Sequence, residues 1–125
     1  MSKGRILLVE DETCIRELLA EALSEADHEV LEASDGEEAM AMLDGPDGFD
    51  LLLTDVHFPG RFDGLDVARC ARLRKPGIPV VFATGRPDTV AAFGVLGPRE
   101  LCLAKPFSLR EALGAVSHLL EARPA

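Results

Sequence analysis

Four short segments of this 125-residue chain bring together residue types that could do chemistry: Glu10-Asp11-Glu12, Thr54-Asp55, Thr84-Gly85 and Lys105-Pro106. Each closes a run of Leu, Val, Ile, Phe or Ala, so each polar group sits where an apolar element ends. Folding needs no charge at such positions. Two carboxylates about 4 Å apart repel by roughly 4 kcal/mol at an effective dielectric near 20, so Glu10, Asp11 and Asp55 gathered in one place would destabilise the chain unless cations intervene. Lys105 is the local candidate. A hard divalent ion such as Mg²⁺, which favours carboxylate and carbonyl oxygens and retains several waters, would neutralise the remainder. One carboxylate oxygen could then act as nucleophile toward a phosphoryl group, with Lys105 and the Thr84 hydroxyl stabilising the phosphoryl oxygens.

The elements that must position these groups can be read from hydrophobic periodicity. Ile6 to Val9, Asp50 to Thr54, Val80 to Ala83 and Leu101 to Ala104 lack alternation and read as strands buried on both faces, the pattern of a parallel sheet. His28 to Ala33 alternates polar with apolar, as an edge strand does. Between the strands, Ile15, Leu18, Leu19, Ala22, Leu23 and Ala26 form a helical stripe at spacings of three and four. Ser108 with Glu111 reads as a capping box opening a last helix, with Leu109, Ala112, Leu113, Val116 and Leu120 facing inward. Asp35 with Glu38 repeats that signal. A third helix spans about Leu65 to Leu73, and a short one around Asp88 to Phe93 is cut off by Gly94, Gly97 and Pro98. A β-α unit repeated five times predicts an α/β fold, a doubly wound five-stranded parallel sheet with helices on both faces. Such sheets bind ligands at the carboxyl ends of the central strands, where the strand order reverses. All four polar segments converge there.

Composition narrows the function. With 47% hydrophobic residues, the chain can build one core without disulfides, and it reads as a single domain over residues 1–125 with no output domain, either free-standing or excised. A net charge of -9 opposes binding to nucleic acid phosphates or anionic lipid. Cys14, Cys70 and Cys102 have no CxxC spacing and read as core filler in a reducing cytoplasm. The apolar run Ile6 to Val9 is too short for a signal peptide or a membrane span. His28 and His118 lack ligand spacing, and the methionines and phenylalanines are too scattered for a cofactor box.

The constellation resembles the receiver domain of two-component response regulators over essentially the whole chain. Leu8-Val9-Glu10-Asp11-Glu12, Thr54-Asp55-Val56-His57-Phe58-Pro59, Ala83-Thr84-Gly85 and Lys105-Pro106-Phe107 carry the resemblance. It implies the flavodoxin-like strand order 2-1-3-4-5. It also implies Asp55 as phosphoacceptor, Asp11 and Asp55 as direct Mg²⁺ ligands, Glu10 as a ligand through water and the His57 backbone carbonyl as a further ligand. Thr84 and Lys105 would meet the phosphoryl group, and Lys105-Pro106 would be cis. The implied partners are a sensor histidine kinase or histidine phosphotransfer protein as donor, a downstream protein target and, as a further candidate, a second copy of the chain in a homodimer. The domain would be no enzyme beyond its own phosphorylation and dephosphorylation, whose rate the side chains of His57 and Arg86 would tune.

Two departures stand out. Cys102 occupies the position, three before the lysine, where the family usually has Tyr or Phe, and the turn Pro59 to Gly64 is one residue longer than in many relatives. Two other functions share features of the chain. A phosphatase or phosphotransferase forming an aspartyl phosphate would want a second acid two residues after the nucleophile, where His57 stands. A flavodoxin-like FMN site would want a Ser-, Thr- and Gly-rich loop where Glu10-Asp11-Glu12 would repel phosphate.

Overall fold

A computed structural model describes residues 4–46, 48–86 and 99–121. The elements run β1 (Arg5–Val9), α1 (Thr13–Glu25), β2 (Glu29–Ala33), α2 (Gly36–Leu43), β3 (Leu51–Asp55), α3 (Gly64–Arg74), β4 (Val80–Thr84), β5 (Glu100–Ala104) and α4 (Leu109–Glu121). All strand pairs are parallel, and their order is β2-β1-β3-β4-β5. This is the expected doubly wound sheet. The short helix expected around Asp88 to Phe93 lies outside the described residues.

The central strands carry apolar residues at every position because successive side chains leave the sheet on opposite faces. Leu7, Val9, Leu52, Val80 and Phe82 pack on one side with Ala39 and Leu43 of α2 and Val67, Ala68 and Ala71 of α3. Their neighbours Ile6, Leu8, Leu51, Leu53 and Val81 pack on the other side with Leu19 and Leu23 of α1 and Ala112, Val116 and Leu119 of α4. Both faces of β1, β3 and β4 are therefore buried, which holds their carboxyl ends in fixed register.

Helix starts follow from local chemistry. Glu111 N–H donates to Ser108 Oγ and Ser108 N–H donates to Glu111 Oε1, each at 3.0 Å, completing the expected capping box of α4. At α2, Glu38 N–H donates to Asp35 Oδ1 at 2.8 Å, but the Glu38 carboxylate reaches one residue further back, accepting from Ser34 N–H at 2.7 Å. Helix α3 opens on a capping box built from two aspartates, Asp63 and Asp66.

Several sequence expectations need correction. Leu18 and Leu109 are 55% and 41% exposed, so neither belongs to the core their helical stripes suggested. β5 is an edge strand of partly buried and exposed residues and is not buried on both faces. Of the cysteines read as core filler, Cys14 is exposed, whereas Cys70 and Cys102, partly buried, do pack against the core. Helical and strand periodicity reports which residues share a face, and cannot say whether that face is covered. No helix among the described residues is long and apolar enough to cross a membrane.

Candidate functional site

The strand order reverses between β1 and β3, so the turn after β1 and the last residue of β3 lie side by side at the carboxyl edge. One carboxylate oxygen from each of Glu10, Asp11 and Asp55 lies within 4.8 Å of the others. Glu10 and Asp55 are 2% and 6% exposed, whereas Asp11 faces solvent. From the start of the loop after β5, Lys105 Nζ donates to Asp55 Oδ2 at 2.9 Å and stands 3.5 Å from Glu10 Oε1. The Lys105-Pro106 peptide is cis. Asp55 Oδ1 accepts from Val56 N–H at 3.0 Å, and Glu10 Oε2 from Glu12 N–H at 3.1 Å.

The electrostatics are those of a cation-deficient cluster. Burial raises the Asp55 carboxyl above its ordinary pKa, against the opposing pull of Lys105. Burial likewise raises Glu10; the Glu12 N–H opposes it and the Asp55 charge adds to it. Burial alone would lower Lys105, but the hydrogen bond and charge of Asp55, with the charge of Glu10, raise it. One ammonium thus faces three carboxylates. A set of hard oxygen donors with excess negative charge at the mouth of a cleft fits Mg²⁺, which prefers such donors and keeps part of its water shell.

A consequence for stability follows with a definite sign. Asp55 binds its proton more tightly folded than unfolded, so its contribution is fully present below the unfolded carboxylate pKa. That contribution is lost as pH rises through the raised folded value. In chelator at pH 7, Asp55→Asn is expected to melt at a higher temperature than the native chain, with the gap closing as the pH falls through the carboxylate range. Equal melting temperatures at pH 7 would contradict the burden assigned to this charge.

Around the cluster runs a cleft of about 430 Å³ lined by Asp11, Glu12, Asp55, His57, Gly85, Arg86 and Lys105. The expected site residues Glu10, Asp11 and Asp55 cluster within 4.8 Å, Lys105 reaches Glu10 and Asp55, and His57 and Arg86 border the cleft. Thr84 is fully buried, and its Oγ1 accepts from Arg86 N–H at 2.9 Å. A hydroxyl that accepts still has its own hydrogen to donate. Cys102 lies beside Phe82 in the β4–β5 register and packs against the same core cluster; burial raises its thiol pKa, which disfavours a reactive thiolate.

Sequence reasoning passed over Gly64, the first residue of α3. A Cβ there would stand 1.9 Å from the Asp55 carbonyl oxygen and 2.9 Å from Val56 Cα. Gly64 N–H also donates to Val56 O at 2.9 Å. The start of α3 therefore rests directly on the backbone that presents Asp55. The pattern Asp63-x-x-Asp66 is a capping signal written with Asp in place of Glu, and it was there to be read.

A family model of the response regulator receiver domain matches residues 6–117. The chain belongs to this family. Receivers are the phosphoacceptor signalling domains of two-component systems. This receiver is 41% identical over 129 residues to the transcriptional regulatory protein TcrA of Mycobacterium tuberculosis, covering 99% of this chain and 49% of TcrA. It is 35% identical over 123 residues to the response regulator receiver protein CpdR of Brucella abortus, covering 93% of this chain and 96% of CpdR. A response regulator receiver protein from Sinorhizobium medicae, solved by crystallography, superposes with a TM-score of 0.88 at 34% identity and 96% coverage of both chains. The receiver spans about half the length of the first curated relatives it matches, TcrA among them.

Proposed function

We propose that Asp55 is the residue this receiver phosphorylates, with Mg²⁺ held by Glu10, Asp11, Asp55 and the His57 backbone carbonyl. The observation that carries the reading is the meeting of three carboxylates within 4.8 Å, two of them buried, with a single lysine at 2.9 Å from Asp55. The donor is a phosphohistidine on a sensor kinase or histidine phosphotransfer protein in the cytoplasm. A carboxylate oxygen of Asp55 forms a bond to phosphorus as the P–N bond breaks, and the electron pair leaves on the imidazole nitrogen. Bound Mg²⁺ supplies neutralisation of the carboxylates and of the phosphoryl oxygens. Lys105 keeps its proton throughout and pairs with a phosphoryl oxygen. Thr84, now an acceptor for Arg86 N–H, donates its own hydrogen to another such oxygen. His57 and Arg86, at the edge of the cleft, adjust access of water to the acyl phosphate. The change of charge at the strand ends then shifts a two-state equilibrium of the surface read by a downstream target.

The docking surface for the donor is the second large cleft. About 500 Å³ in volume, it is lined by Ile15, Leu18, Leu19, Lys105, Pro106, Phe107 and Leu109. It shares Lys105 with the phosphoacceptor site, so a helix seated in it with its apolar face lies next to Asp55. This gives work to Leu18 and Leu109, which the core does not cover. Leu18→Glu is expected to slow transfer from the phosphohistidine donor about tenfold or more, since a charge forced into an apolar contact commonly costs over 1 kcal/mol. Transfer from acetyl phosphate, which needs no docking, should be unchanged. Equal loss from both donors would count against the surface, and failure of every phosphohistidine donor to load the native chain would count against the function.

A further inference from the structure

The two acids that meet Asp55 stand on the turn between β1 and α1, and their carboxylates point where that turn's backbone directs them. Glu10 N–H donates to Ala33 O at 3.1 Å, tying the strand end to the β2 side. Its carbonyl lies past the last residue of β1 and accepts from Arg16 Nη1 at 2.9 Å. Arg16 lies near the start of α1, where its own N–H donates to Glu12 O at 2.9 Å. Its Nε pairs with Glu32 Oε1 of β2 at 3.3 Å, and the side chain is only 16% exposed. One guanidinium thus links α1, the Glu10-Asp11 peptide and β2. A planar fork with five donors can make such a link, and a lysine ammonium cannot reproduce it.

We infer that Arg16 is a positioning residue for the metal site: by fixing the Glu10 carbonyl, it holds the Glu10-Asp11 peptide so that both carboxylates face Asp55. The inference rests on the metal reading proposed above. It is separable from a plain charge effect because the two have opposite signs. As a nearby positive charge, Arg16 repels a divalent cation, and its removal would tighten metal binding. As the brace of the acidic turn, it is needed for affinity, and its removal loosens binding. Partners one shell out from a metal typically govern affinity by 10- to 100-fold.

Mn²⁺ is the probe, with the free ion counted by its EPR signal in titrations of the full chain. The native chain is expected to bind one Mn²⁺ and Asp11→Asn to lose it. Arg16→Ala and Arg16→Lys should each weaken binding about tenfold while circular dichroism remains native, so that a general loss of folding is not what is read. Unchanged or tighter binding by Arg16→Ala overturns the inference and leaves the metal site standing. Where Arg16→Ala does not fold, the same outcome for Arg16→Lys overturns it. No Mn²⁺ uptake by the native chain overturns the metal reading and the inference together.

Discussion

Lys105→Met is expected to slow phosphorylation by acetyl phosphate about a hundredfold and, at the same time, to tighten Mg²⁺ binding. The two effects have one cause. Lys105 Nζ stands 2.9 Å from Asp55 Oδ2 and 3.5 Å from Glu10 Oε1, so it competes with a divalent ion for the same carboxylates. Removing it takes a positive charge away from the metal, but it also removes a preplaced donor from the phosphoryl oxygens, where charge develops as the P–N or P–O bond breaks. One such donor is commonly worth 10²- to 10³-fold. The rate is read as the growth of the phosphorylated mass at saturating Mg²⁺, and metal affinity as the half-point of the Mg²⁺ dependence. A native rate in Lys105→Met would show that the lysine serves only to balance charge in the resting site. Looser Mg²⁺ binding would show that it serves the shape of the site.

Gly64→Ala is expected to cost about 3 kcal/mol or more of stability, a fall in melting temperature of roughly 10 °C for a domain of this size. The added methyl would stand 1.9 Å from the Asp55 carbonyl oxygen, and that neighbour is backbone, which cannot turn aside as the end of a side chain can. Helix α3 must back away, which strains its capping box and the Gly64 N–H to Val56 O bond of 2.9 Å. Phosphorylation should fall with stability, because the segment displaced is the one that carries Asp55. Gly114 in α4 is the control. A Cβ there meets nothing within 4 Å, so Gly114→Ala should stabilise the chain by up to about 1 kcal/mol through helix propensity alone. Thermal melts of the two variants decide it, and an unchanged melting temperature in Gly64→Ala would contradict the close approach.

The candidate site was largely legible in the sequence because it depends on strand ends, and strand ends are where short buried runs stop. Glu10, Asp11, Asp55, Thr84 and Lys105 each terminate such a run, and parallel topology brings those ends together. What escaped depends on contacts the chain makes after folding. Gly64 looked like the end of a turn, since its reason for being glycine is the Asp55 carbonyl nine positions earlier in the sequence. Arg16 carries no local signal of its role, since its partner is a backbone carbonyl past the strand end. Leu18 and Leu109 fell on apolar stripes at correct helical spacing, and periodicity alone placed them in a core that does not reach them. The implied strand order put β5 at the edge, but its run of Leu, Cys and Leu reads the same at the centre of a sheet and at its rim, so its partial exposure was hidden. Pro59 to Gly64 is a case between these, for its length was plain but the aspartate capping box that ends it was not recognised.

The central claim is that Asp55 takes a phosphoryl group in a metal-dependent step. Its most direct test is intact mass after incubation with acetyl phosphate and Mg²⁺, for the native chain, for Asp55→Asn, and for the native chain with chelator. The expected result is the gain of one phosphoryl group by the native chain with Mg²⁺, and no gain in the other two samples. An equal gain in Asp55→Asn, or in the presence of chelator, would contradict the account.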